Sequence, residues 1–314
     1  MKHIHLIAPS GASLDAKSPL VGIQSLKSLG CHIHHAQCID RVDQRFAGTD
    51  EQRLSELNQL ATLNPENVVM VMRGGYGLHR LLPDIAWQAI ADNIQNGLQI
   101  CGHSDFTVFQ LALLAKTGAI TLAGPMLNFD FASQDEQGNT IPPNAFMWKH
   151  FQAALDSRTV DCSVSAPQTY LGQTLEGSAS GILWGGNLTV LAGLVGTPYL
   201  PSLEQTKGGI LFFEDVNEHP YRIERMLMQL LDAGILSNQS AILLGGFSAY
   251  RLYDNDRGYN LDCAIETIRK RIPSNIPLIT NLPFGHQQEK LTLPVGALAH
   301  IQYDCKGFTI QSQW

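Results

Sequence analysis

Short apolar runs alternate with stretches patterned for helices through the first 155 residues. His3–Ala8 reads as a strand, Ser18–Leu29 as a helix ended by Gly30, and Cys31–Ile39 as a second strand. A helix over Asp50–Thr62 precedes the continuous apolar strand Val68–Met72, and a further helix is predicted around His79–Ile85. The strand Leu98–Cys101, a helix from about Phe106 to Lys116 and the strand Ala119–Ala123 complete the series. A strand with no polar face has to be covered on both sides, and helices between such strands supply the cover. The pattern predicts an α/β fold built on a parallel sheet.

The pattern changes after residue 155. Ser133–Asn144, with Gly138, Pro142 and Pro143, reads as a surface loop, and a helix over Phe146–Leu155 leads to a boundary. We assign residues 1–155 to an α/β domain, 156–165 to a linker and 166–314 to a second, β-rich domain. The second part has more strand character, with Gly185-Gly186, Gly208-Gly209 and Gly245-Gly246 as punctuation and several short strands over Leu278–Ile310. It keeps one strong helix, Pro220–Ala233, in which Ile223, Met226, Leu227 and Leu230 share a face. The length of 314 residues agrees with two domains, because single cores stop growing near ~250–300 residues.

Composition excludes several roles. The formal net charge of −7 leaves no basic footprint for nucleic acid. No apolar run approaches the ~18 residues that a membrane span needs. The N-terminus reads as a strand and a turn rather than a signal peptide, so a cytoplasmic location is expected. The six cysteines contain no C-x-x-C pair and are expected to be reduced, most of them as small buried hydrophobes.

Four segments have the residue types of a hydrolase. Ile100–Thr107 is strand, sharp turn and helix, the setting of a nucleophile elbow at Ser104, although Phe106 stands where G-x-S-x-G has its last glycine. Capping of the helix by Ser104 or Asp105 is the plainer alternative. Arg73-Gly74-Gly75-Tyr76-Gly77 follows a buried strand, and its backbone N–H groups suit an oxyanion or a phosphate as well as they suit an ordinary turn. Glu214 and Asp215 end the apolar strand that begins at Ile210, where a carboxylate is placed to orient a histidine, the alternative being capping of the following helix by Asn217 or Glu218, a role for which Glu214 lies too far upstream. His286, beside Gly285 in a loop, has the pKa range for general acid–base work, yet a lone loop histidine is more often a surface residue. The metal-like run Cys31, His32, His34, His35 and Cys38 alternates sides on a strand and does not converge on one ion without a bend, so no metal is expected.

In this order and spacing, these pieces resemble the bacterial LD-carboxypeptidase family over nearly the whole chain. The resemblance also includes His5–Gly11, Arg80-Leu81-Leu82, Gly124-Pro125-Met126, Leu183–Leu188, Gly196-Thr197-Pro198, Glu214–Pro220 and Arg222–Leu227. It implies a flavodoxin-like N-terminal sandwich joined to a smaller β-rich C-terminal domain, with the active site at the domain interface, and usually a homodimer. It implies a triad of Ser104 as nucleophile, His286 as general base and acid and Glu214 as the orienting carboxylate. The implied oxyanion hole is the N–H of Asp105 with that of Gly75, favoured over Gly74. No cofactor and no metal are implied.

The implied substrate is a murein tetrapeptide ending in D-alanine, cut at the bond from the L-centre of meso-diaminopimelate or lysine, in peptidoglycan recycling. Arg73, Arg222 and Arg225 are candidates for gripping the terminal carboxylate. Tyr76 lies in the glycine turn, and Asn187 reads equally as a helix cap or a substrate donor. Two other readings compete. One keeps fold and triad but cleaves a peptidyl-nucleotide antibiotic to confer immunity. The other is a two-domain binding protein for a small ligand, without catalysis.

Overall fold

The computed structural model describes residues 2–166, 169–170, 173–174 and 176–314. In the first half, β1 (His3–Ile7), α1 (Ser18–Ser28), β2 (His32–His34), α2 (Asp50–Gln59), β3 (Val68–Val71) and α3 (Trp87–Gln95) follow in chain order. They continue into β4 (Gln99–Gly102), α4 (Thr107–Thr117), β5 (Thr121–Ala123), α5 (Leu127–Asp130) and α6 (Ala145–Ser157). The five strands are parallel in the order β2-β1-β3-β4-β5, the flavodoxin-like arrangement. All four residues of β3 are buried, and they divide between two cores as a period of two requires. Val68 and Met70 pack with Ile23 and Leu26 of α1 and Phe151 of α6. Val69 and Val71 pack toward Phe109 and Leu111 of α4.

The second half comprises β6 (Thr159–Val164), the ribbon β7 (Thr169–Tyr170) and β8 (Gln173–Thr174), β9 (Gly177–Asn187), α7 (Leu188–Gly193), β10 (Ile210–Val216) and α8 (Pro220–Asp232). It ends with β11 (Ala241–Ser248), α9 (Leu261–Arg269), β12 (Leu278–Ile279), β13 (Leu293–Val295), β14 (Leu298–Tyr303) and β15 (Phe308–Gln313). Seven of these strands form one sheet in the order β12-β11-β10-β9-β14-β15-β6. Its β9–β12 side is parallel and its β14-β15-β6 side antiparallel. Pro220 starts α8, where its missing N–H has no intrahelical acceptor to lose. Ile223, Leu227 and Leu230 are buried on its inner face, while Met226 is half-buried.

The two halves share structure. β13 returns to the first sheet and pairs antiparallel with β5, Leu293 opposite Ala123. The core around Val69, Val71 and Phe109 continues through Trp184 of β9 to Phe212 and Phe213 of β10. The Asn187 N–H donates to Thr107 Oγ1 at 3.1 Å, joining the end of β9 to the start of α4. The carboxyl ends of strands in both sheets therefore meet.

Three local expectations change. The segment Cys31–Ile39 is a strand only over His32–His34, because His35 takes a left-handed φ of 59° and the chain turns into a 3-10 helix over Ala36–Asp40. The region His79–Ile85 forms two 3-10 turns, Leu78–Arg80 and Leu82–Asp84, and the regular helix lies later at α3. Pro83 contributes no amide donor to extend the first of them. The segment 156–165, read as a linker, contains the end of α6 and the edge strand β6. All six cysteines are free thiols, four of them buried and Cys263 and Cys305 exposed. No helix among the described residues is long and apolar enough to cross a membrane.

Because β13 is built into the first sheet, truncating fully buried Leu293 to alanine is expected to cost about 2–5 kcal/mol. Urea denaturation followed by tryptophan fluorescence and by circular dichroism tests this. The two signals should shift together in one transition, and an unchanged midpoint would contradict the shared architecture.

Candidate active site

The nucleophile candidate stands where β4 turns into α4. Ser104 has φ of 62°, a left-handed conformation that costs a non-glycine residue ~1–3 kcal/mol unless its surroundings enforce it. One enforcing neighbour is the turn after β3. A Cβ at Gly74 would lie 2.5 Å from Ser104 Oγ, so only glycine lets this turn close on the serine. The Gly74 carbonyl accepts from Gly11 N–H at 3.1 Å. In a trans peptide the carbonyl and the following N–H point opposite ways, so this anchor turns the Gly75 N–H away from Gly11. The Asp105 N–H opens the helical turn at a position with no intrahelical acceptor. The buried Asp105 side chain accepts from Leu78 N–H at 3.2 Å, tying the glycine turn to the elbow, and burial raises its pKa.

The acid–base candidates come from the other half. Glu214 lies on β10 where the pairing with β11 shifts register, Phe213 facing Leu244 and Asp215 facing Phe247. Gly245 and Gly246 thus stand opposite the single residue Glu214, a bulge of the kind that re-aims side chains at a sheet end. The Gly246 N–H donates to the Phe284 carbonyl at 2.8 Å and holds the following loop against the bulge. Gly285 has φ of 123°, and a Cβ there would lie 2.9 Å from that of Glu214. His286 is thereby brought onto the carboxylate, Nδ1 to Glu214 Oε2 at 2.7 Å. A ring nitrogen facing a carboxylate carries the proton, which leaves Nε2 as the base.

Glu214 is fully buried and its other oxygen is also engaged, accepting from Asn187 Nδ2 at 3.2 Å. The same amide donates to Asp215 Oδ1 at 3.0 Å, while Asn187 Oδ1 caps α7 by accepting from Val190 N–H. Asp215 is held by the N–H and hydroxyl of Thr189, both at 2.8 Å. Burial, and then the neighbouring Glu214 charge, push its carboxyl upward in pKa. Asn187 therefore faces the carboxylate pair and its own helix.

The His286 ring lies edge-on to His103, the residue before Ser104, with centroids 5.1 Å apart. The Glu214–His286 hydrogen bond is formed, whereas none joins Ser104 Oγ to His286. Nucleophile–base contacts of this kind tighten when substrate is bound. Among the substrate candidates, half-buried Arg73 donates to the Ala12 carbonyl at 2.7 Å and lies beside Gly75. Burial, then the nearby Arg45, lowers its pKa. Tyr76 is exposed under the Arg45 guanidinium. Arg222 is paired with Glu218 at 2.5 Å on the exposed side of α8, and Arg225 is exposed.

A second buried network went unread in the sequence. Lys290, fully buried, donates to both oxygens of Asp130 at 2.8 and 3.0 Å and to His103 Nε2 at 3.3 Å. His103 Nδ1 reaches the Gly124 carbonyl at 2.8 Å, which fixes its tautomer with Nε2 as acceptor. Burial, then Lys290 and His286, hold the His103 pKa well below its usual value. Lys290 precedes the apolar strand β13 and Asp130 lies in an apolar stretch of α5, so neither position carries a local signal of pairing. Together they fasten the loop bearing His286 to the first half.

His35, Cys38 and Glu56 bring ligand-type atoms together, but Glu56 accepts from Arg41 at 2.8 Å and from Ala8 N–H at 2.7 Å. That carboxylate is already matched by a cation. For the Lys290 network, Lys290→Met alone is expected to lose about 3–5 kcal/mol of stability, since Asp130 is left buried without its partner. The double variant Lys290→Met/Asp130→Leu should recover much of that loss in a denaturation double-mutant cycle. Additive losses would show the pair to be uncoupled.

Residues 4–124 match the LD-carboxypeptidase N-terminal domain and residues 180–301 match the LD-carboxypeptidase C-terminal domain. A putative carboxypeptidase of Synechocystis is 33% identical over 307 residues, covering 95% of this chain and 91% of that protein. The microcin C7 self-immunity protein of Escherichia coli is 26% identical, covering 93% of this chain and 88% of that protein. The crystal structure of muramoyltetrapeptide carboxypeptidase from Oxalobacter formigenes superposes with a TM-score of 0.86 at 39% identity, covering 100% of this chain and 99% of that one. With both family domains in sequence and a mixed α/β architecture shared with that solved structure, the chain belongs to the LD-carboxypeptidase family.

Proposed function

We propose that this protein is a serine carboxypeptidase that releases the terminal D-alanine from murein tetrapeptide, cutting the bond from the L-centre of meso-diaminopimelate. The observation that carries this reading is the 2.7 Å hydrogen bond from His286 to buried Glu214, set edge-on against the Ser104 elbow. Ser104 Oγ attacks the scissile carbonyl while His286 Nε2 takes its proton. Glu214 holds the imidazole in the required tautomer and stabilises the imidazolium that forms. The N–H groups of Asp105 and Gly75 receive the oxyanion, each such donor being worth on the order of 10²–10³ in rate. His286 then gives its proton to the leaving D-alanine amine, and water, activated by the same histidine, hydrolyses the acyl-enzyme.

A carboxypeptidase has to recognise a free carboxylate next to the scissile bond. Arg73 is the favoured partner, because it lies against the turn that supplies the oxyanion donor. Its charge is desolvated there, which strengthens a charge-assisted contact. Arg222, already paired to Glu218, is the weaker candidate. The same reading places the enzyme in the cytoplasm, as a homodimer acting in peptidoglycan recycling.

The test is mass spectrometry of tetrapeptide incubated with wild type and variants. Wild type should release D-alanine, and Ser104→Ala should lose at least about 10⁴-fold in kcat while keeping its circular dichroism spectrum. Full activity in Ser104→Ala would overturn the mechanism. Chelators should leave the rate unchanged, since no step uses a metal. Cleavage of a peptidyl adenylate in preference to tetrapeptide would transfer the same chemistry to the immunity substrate.

A further inference from the structure

Two histidines of β1 and two of β2 occupy one face of the first sheet. His3 is paired in register with His32, and His5 with His34. Residues two apart on a strand point the same way, so four imidazoles project side by side. His3 stacks on both His32 and His34, with ring centroids 5.2 Å apart in each case, and His5 stacks on His35 at 5.0 Å. His3, His32 and His34 are exposed. On a strand considered alone, His32 and His34 lack the convergent third ligand. The register with β1 sets His3 beside both of them, which strand alternation within one segment does not reveal.

We infer that His3, His34 and His32 form a surface site for a borderline divalent transition metal ion such as Zn²⁺. His3 Nδ1 and His34 Nε2 already stand 2.9 Å apart. Two nitrogens at about 2.0–2.1 Å from a tetrahedral zinc are about 3.3 Å from each other, so a small opening of this pair admits the ion. The third ligand of the proposed site is His32, exposed and stacked on His3, which has to turn about its side-chain bonds to reach the same point, with water completing the shell. Neutral imidazole is the ligand such ions prefer.

The site lies apart from the peptidase residues, which gather at the carboxyl ends of the strands, and no step of the proposed hydrolysis uses it. The feature that sets it apart from His35, Cys38 and Glu56 is charge, since Arg41 already occupies Glu56 whereas no cation among the described residues is paired with His3 or His34.

Calorimetric titration of the whole chain with Zn²⁺ tests the inference. Wild type is expected to take up one ion per chain, and His3→Gln/His34→Gln should weaken binding by at least about tenfold, since even loss of a ligand's supporting partner costs 10–100-fold. His32→Gln should weaken it less. Both variants alter exposed side chains and should keep the wild-type circular dichroism spectrum and the wild-type rate of peptide cleavage. No zinc uptake by wild type, or unchanged affinity in the double variant, would overturn the site. So would binding that survives in the double variant and disappears in His286→Gln, which would place the ion on the Glu214–His286 pair.

Discussion

Glu214 is a carboxylate with no solvent exposure, and such a group is tolerated inside a protein only when its oxygens are matched. One oxygen meets His286 and the other meets Asn187. Each partner in turn is fixed by a separate element. Asn187 is the residue at which β9 becomes α7, and Asp215 holds its amide from the neighbouring position on β10. His286 is delivered by a loop that crosses the Gly245-Gly246 bulge. Orientation of the imidazole therefore follows from strand order and sheet register, not from the loop alone.

The candidate nucleophile obeys a different constraint, one of backbone shape. Ser104 is held at a positive φ by the approach of Gly74, and the Asp105 side chain ties the elbow to the turn that follows Gly77. These contacts belong to the first sheet. Glu214 and His286, the acid–base candidates, belong to the second. What brings them together is the continuous core from Val69 to Phe212, the return of β13 into the first sheet and the buried Lys290–Asp130 pair. A buried ion pair contributes little net stability against a well-packed apolar alternative, so its value here lies in fixing where the His286 loop sits.

Much of this was legible in the residues. Continuous apolar runs such as Val68–Met72 announced a covered parallel sheet, and that sheet is present in flavodoxin-like order. Ser104, Glu214 and His286 stood out because each ends a strand or occupies a glycine-flanked loop, and two of the three are in direct contact. The limits are equally specific. His35, by its left-handed φ, and Pro83, by its missing amide donor, interrupt regular structure in ways that periodicity does not register. β6 was mistaken for a linker because an edge strand can be short and polar on one side. Lys290 and Asp130 were missed because they are 160 positions apart and only the fold pairs them. The sequence around Asn187 suits a cap and a substrate donor equally. It is a cap that also steadies the carboxylates.

The central claim is that a hydroxyl on one half of the chain is activated by a histidine–carboxylate pair on the other. Covalent labelling with a fluorophosphonate, followed by peptide mapping in a mass spectrometer, reads this most directly. The account predicts a single adduct on Ser104 that forms in wild type and is nearly absent in His286→Ala and Glu214→Ala. An adduct on another residue, or labelling of Ser104 at an undiminished rate in those variants, would contradict it.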